Sequence, residues 1–222
     1  MNLSELSRIA KALVEDNKGL LAADESTGTI GKRFSQIGVE NIEENRRDYR
    51  ELLFRTKNLG KFISGTILYD ETIRQSALDG TTFVDILNAQ GIIPGIKVDA
   101  GAKPLAGSIG ETITEGLDGL SERISEYVSL GALFAKWRAV IAIDDRLPTD
   151  YCIRVNAHAL ARYAKLCQEG GLVPIVEPEV LMDGSHSIDV CENVTKRTLN
   201  AVFAELFCQN VMLEGIILKP NM

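Results

Sequence analysis

A chain of 222 residues is long enough to bury a substantial core, and at 45% hydrophobic and 25% charged residues its composition is that of an ordinary globular protein. A formal charge of -7, with no basic block or basic helix face, argues against nucleic acid as the main partner. No apolar run approaches a membrane span and no signal-peptide core is present, so a cytoplasmic location without a membrane partner is expected.

The elements follow in chain order. Residues 3–15 place Leu6, Ile9, Ala10 and Leu13 on one helical stripe, and the first short apolar run, 20–24, ends on Asp24. Asn41 with Glu44 reads as a capping box ahead of a helix reaching Phe54. A second apolar run covers 62–68, a short helix 82–89, and a third run 95–98. A helix over 120–130 stops at Gly131, and the fourth run is 133–140. Pro148, Thr149 and Asp150 open a long helix that closes on Gly170 and Gly171, before a fifth run at 172–177. Ser187 opens another, with Cys191, Val194, Val202, Phe203, Leu206 and Phe207 on its apolar face. The last run, 215–219, delivers Lys219 and is stopped by Pro220.

Strand and helix therefore alternate at roughly 35–40 residues per unit, the pattern of an α/β protein. Continuous rather than alternating apolar strands predict a parallel sheet covered on both faces. A doubly wound open sheet and a barrel of eight βα units both fit. No Gly-x-Gly-x-x-Gly follows the first strand, and residues 26–33 miss the phosphate-loop pattern, so the open nucleotide-binding sheet is the weaker reading. Charged residues at strand C-termini favour a (β/α)8 TIM barrel, whose chemistry sits at that face. Only six units can be found, so residues 1–222 are expected to form a single barrel domain that is incomplete, lacking its last two strands. Whether the reading frame continues past Met222 would decide this.

The chemistry gathers at the strand ends. A lysine at the tip of a buried strand is costly unless used, and desolvation there lowers its pKa as a lysine nucleophile requires. Residues two apart on a strand share a face, which pairs Lys97 with Asp99, Lys136 with Arg138, and Glu177 with Glu179. Barrel layers drawn from alternate strands would set Asp24, Lys97 and Glu177 together, and Lys136 with Lys219 in the next layer. An ammonium on Lys136 would then disfavour the protonated form of Lys219. A bland alternative is a set of paired charges closing the barrel mouth. Cys152, Cys167, Cys191 and Cys208 stand apart and read as small buried hydrophobes in a reducing compartment. His158 and His186 lie outside metal-ligand spacing, so no metal site and no cofactor are expected.

Several long motifs carry a resemblance: LLAADESTGTIGKR at 20–33, GVENIEENRRDYRELL at 38–53, PGIKVD at 94–99, PLAG at 104–107, EGLDGLSER at 115–123, FAKWR at 134–138, VPIVEPE at 173–179 and LEGIILKPNM at 213–222. With these the chain resembles class I fructose-bisphosphate aldolase along essentially its whole length. The resemblance implies that Lys219 forms the Schiff base with a ketose and that Glu177 is the acid/base of carbinolamine dehydration. It implies that Asp24 takes the proton from the hydroxyl at the cleaved bond and that Lys136 assists the carbinolamine steps and supports Asp24. Lys97 and Arg138 match residues contacting substrate phosphate, Arg33 has a smaller part, and Glu179 is a supporting carboxylate. Thr29 stands where many members have serine, keeping the hydroxyl. A phosphorylated ketose is the implied substrate, and a homotetramer the implied assembly when complete. Competing readings are a non-catalytic remnant or scaffold of the same fold, inactive because truncated, and another Schiff-base sugar-phosphate lyase, which the motifs around Asp24 and Lys136 disfavour.

Overall fold

The computed structural model describes residues 3–221, so Met222, the end of the last motif, lies outside the described residues. Helix α1 (Leu3–Leu13) buries the expected stripe of Leu6, Ile9, Ala10 and Leu13. Strand β1 (Gly19–Ala23) is followed by α2 (Thr27–Gln36) and α3 (Glu43–Phe54). Next come β2 (Ile63–Leu68), α4 (Asp70–Arg74), α5 (Phe83–Asn88) and β3 (Ile93–Lys97). The antiparallel hairpin of β4 (Ala102–Pro104) and β5 (Thr112–Thr114) precedes α6 (Leu120–Ser129). The chain then runs through β6 (Phe134–Ile141), α7 (Asp150–Glu169), β7 (Val173–Val180), α8 (Ile188–Cys208) and β8 (Ile217–Leu218).

All six predicted apolar runs are strands of one sheet, in the order β1-β2-β3-β6-β7-β8. Each main strand lies beside the one before it in the chain, with no reversal of order. A doubly wound sheet needs such a reversal at its switch point, and a TIM barrel does not. The parallel α/β barrel class expected from the sequence therefore holds, with six βα strands present among the described residues.

Two compact units divide the chain. One comprises residues 11–97 and 126–134 and holds the ladder of β1, β2 and β3, in which Ala23 pairs with Leu68 and Leu68 with Ile96. Its glycines are steric requirements. A Cβ on Gly95 would lie 2.3 Å from the Phe134 ring, and one on Gly65 would lie 2.6 Å from Leu13. The bare backbone lets the large Phe134 ring lie against the strands.

The other unit takes in residues 98–125 and the chain from 135 onward. Here α7 packs one face of β6 and β7: Trp137 is fully buried and stacks on Tyr163 at 5.4 Å, and the Tyr163 hydroxyl donates to the Ile175 carbonyl. The β4–β5 hairpin is tied to the start of α7 by Glu111. That carboxylate is 4% exposed and accepts from the Thr149 amide at 2.8 Å, the Thr149 hydroxyl at 2.6 Å and the Ser108 hydroxyl. Burial alone would raise its pKa, but these hydrogen bonds outweigh it and hold the carboxyl below its usual value. Thr149, Ser187 and Thr82 cap α7, α8 and α5 with their hydroxyls as their sequence positions suggest.

Three local expectations fail, and two features lie outside those expected. Asn41 does not cap α3; Ile42 is the N-cap and makes no side-chain bond. The Asn41 amide instead donates to the Thr27 carbonyl, and its oxygen accepts from Arg46, a charged donor that outcompetes a backbone amide. Helix α2 and the β4–β5 hairpin went unanticipated, since neither carries a long apolar period. Only part of the expected α8 face is inside: Val194, Val202 and Leu206 are buried, while Phe207 is 82% exposed. Cys152 and Cys167 are buried, and burial pushes both thiols up, Cys152 to about 11, but Cys191 is half-buried and Cys208 exposed.

Candidate active site

Strands β6 and β7 carry matched charges, with Lys136 and Arg138 inside β6 rather than at the C-terminal tip that the sequence suggested, and Glu177 and Glu179 in the second half of β7. Lys136 and Arg138 share one face of β6, and Glu177 and Glu179 share one face of β7. They pair rung by rung: Lys136 Nζ lies 3.4 Å from Glu177 Oε2, and Arg138 binds Glu179 through both Nε and Nη2. The intervening Trp137 points to the opposite face, where α7 covers it, so strand alternation alone separates the core residue from the charged ones. The backbone amide of Lys219 donates to the Val176 carbonyl at 2.9 Å, which sets Lys219 beside Glu177. Its Nζ donates to Glu177 Oε1 in a short contact.

Glu177 is thus the centre of the group. It is 1% exposed, flanked by two ammonium groups, and its Oε2 accepts no hydrogen bond from the described residues. The layering expected above assigned Glu177 to a different layer from Lys136 and Lys219, whereas its carboxylate meets both amines. A buried carboxylate and a buried ammonium are costly apart, so adjacent strands level their charges into pairs. Lys219 keeps 39% of its side chain exposed.

The remaining predicted site residues lie in the unit of residues 11–97. Asp24 follows β1 directly and is half-buried, and Lys97 closes β3, also half-buried. Thr29 sits in the first turn of α2, exposed, its hydroxyl 3.1 Å from that of Ser26. Arg33 lies one turn further along α2, and its guanidinium donates to Glu25 at 2.5 Å. Sequence reading assigned no part to Glu25 or to Arg50, which contacts it from α3 at 3.3 Å. A signal was available: Arg46, Arg50 and Phe54 recur every four residues and are the buried face of α3.

These observations meet the comparison with known proteins. A family model described as fructose-bisphosphate aldolase class-I matches residues 5–222. The chain belongs to that family. The probable fructose-bisphosphate aldolase class 1 of Xanthomonas axonopodis pv. citri (strain 306) is 60% identical over 222 residues, covering 100% of this chain and 66% of the relative. The cytosolic fructose-bisphosphate aldolase 4 of Arabidopsis thaliana is 55% identical, over 98% of this chain and 56% of the relative. The aldolase of Plasmodium falciparum, solved in complex with TRAP and a small-molecule inhibitor, matches with a TM-score of 0.97 and 54% identity, over 99% of this chain and 64% of that one. The chain accordingly spans 66% or less of the length of these aldolases. Its membership and its barrel-type fold agree with the resemblance drawn from the motifs.

Proposed function

We propose that this chain carries the imine-forming centre of a class I fructose-bisphosphate aldolase. The reaction is reversible cleavage of fructose 1,6-bisphosphate to dihydroxyacetone phosphate and glyceraldehyde 3-phosphate, in glycolysis and gluconeogenesis. The reading is carried by Glu177, buried and in contact with the amine groups of both Lys219 and Lys136.

Cleaving a carbon–carbon bond beside a ketone needs an electron sink, and a protonated imine supplies one. Lys219 passes a proton to the Glu177 carboxylate it touches, and the resulting neutral amine adds to the C2 ketone to give a carbinolamine. Glu177 returns the proton to the departing hydroxyl, water leaves, and a protonated imine remains. Lys136, on the other side of Glu177, assists these steps. Asp24 then accepts the proton of the C4 hydroxyl. The C3–C4 bond breaks, its electron pair moves into the imine, and glyceraldehyde 3-phosphate departs from an enamine. Protonation of the enamine carbon and hydrolysis release dihydroxyacetone phosphate and restore the amine. Lys97, Arg138 and Arg33 supply cations for the two phosphates, with Glu179 orienting Arg138 and the Thr29 hydroxyl contributing to the same binding. Cations of this kind let an acidic protein bind a sugar that carries two phosphates.

Among the described residues no helix is long and apolar enough to cross a membrane, and an Arabidopsis relative is named as cytosolic. We place the protein in the cytoplasm, as a homo-oligomer, with light scattering to give its mass. The decisive test is borohydride trapping with dihydroxyacetone phosphate followed by peptide mapping. Label on Lys219 is expected, and label on Lys136 or Lys97 instead would overturn the assignment.

A further inference from the structure

Arg50 is the least expected buried residue of the molecule. It is 1% exposed, on the inner face of α3, in the unit that carries Asp24. A buried guanidinium is costly, and an apolar side chain would fill the same space more cheaply unless the charge has work to do. Its contacts say what that work is. Nε donates to the Ala23 carbonyl at 3.3 Å, and Nη2 donates to the Glu25 carbonyl at 2.9 Å and to Glu25 Oε2 at 3.3 Å. The two carbonyls belong to the residues on either side of Asp24. Ala23 closes β1, Glu25 lies just beyond it, and α2 does not begin until Thr27. The other carboxylate oxygen of Glu25 is held by Arg33 at 2.5 Å and the Tyr49 hydroxyl at 3.3 Å.

We propose that Arg50 is a positioning residue for Asp24: its rigid guanidinium fork grips the backbone before and after that residue and sets where its carboxylate stands. This rests on the reading of Asp24 as the proton acceptor of the cleavage step. A planar fork can bond two carbonyls at once along fixed directions, whereas an ammonium acts as a single point of charge. Arg50 touches neither substrate nor reacting atoms in this account. Its effect on the reaction passes through the backbone on either side of Asp24, and Glu25 carries the same anchor on to Arg33.

The two chemical steps separate the proposal from a merely structural role. Imine formation is assigned to Lys219 and Glu177, bond cleavage to Asp24. In the purified protein expressed from its whole reading frame, Arg50→Lys should lower kcat for cleavage by about tenfold to a hundredfold, the loss expected of a sub-ångström to ångström misplacement. Borohydride trapping of the imine with dihydroxyacetone phosphate should stay within about twofold of the unsubstituted rate, because that chemistry does not use Asp24. Arg50→Gln, which cannot span both carbonyls, should lose more of kcat than Arg50→Lys while still trapping the imine. Trapping and cleavage that fall together in both variants, cleavage that is unchanged, or the loss of a cooperative melt in both would overturn the proposal. An unsubstituted protein that neither traps an imine nor cleaves the bisphosphate would instead overturn the aldolase reading on which it rests.

Discussion

In the proposed mechanism Glu177 carries the proton transfers, because one nearly dry carboxylate faces two amine groups. Replacing it by the isosteric amide removes both the proton carrier and the countercharge. Glu177→Gln should therefore slow imine formation by about two to four orders of magnitude, with any residual label still on Lys219. The rate of borohydride trapping measures this, and a variant within a few-fold of the unsubstituted protein would show that the proton comes from elsewhere. Arg138 makes a different prediction. Its side chain is 41% exposed and held by Glu179, a geometry suited to a phosphate and not to proton transfer. Arg138→Ala should raise KM for the bisphosphate by about tenfold or more with a smaller change in kcat, as expected when uniform binding is lost. The roles proposed for these residues rest on the motifs and on the strand faces they share. Glu177 as a bridge between two lysines could not be anticipated, because contact across neighbouring strands depends on side-chain reach that a linear pattern does not contain.

At the scale of elements, Glu111 joins the β4–β5 hairpin to the first turn of α7. Its folded pKa lies below the ordinary value, so it contributes stability above the unfolded pKa, and that contribution is lost as pH falls through the folded value. Glu111→Gln should cost about 1–3 kcal/mol at neutral pH, the range for leaving buried donors poorly satisfied. The difference between the two proteins should shrink progressively from about pH 4 downward, where the unfolded glutamate begins to be protonated. Thermal melts across pH would reveal it, and a difference that grew in acid would contradict the sign. Strand β3 makes a steric prediction in the other unit. Gly95→Ala would place its methyl 2.3 Å from the Phe134 ring, and should destabilise by about 1–3 kcal/mol in a denaturant titration. Strand and long-helix positions were legible here because apolar period and caps such as Thr149 and Ser187 are local signals. The hairpin and α2 were not, since three-residue strands and a polar helix are stabilised by what they pack against.

For the molecule as a whole, strand order is the informative quantity. Six strands laid side by side in chain order, with helices between them, make the barrel class and exclude the doubly wound one. The chemistry proposed for it uses an imine as its electron sink, and neither His158 nor His186 has ligand spacing in the chain. Activity of the protein from its whole reading frame should therefore survive prolonged chelation, and loss of activity restored by zinc would refute the imine mechanism. The sequence by itself determined the alternation of elements, the fold class, the family and the faces on which Lys136, Arg138, Glu177 and Glu179 lie. These follow from periodicity and from motif length, both local to the chain. Only the tertiary structure decided which charges meet: Glu177 with both lysines, Arg138 with Glu179, and Arg50 with the backbone around Asp24. The physical reason is that a buried charge takes the partner that spatial packing offers within about 4 Å, and separation along the chain has no bearing on that choice.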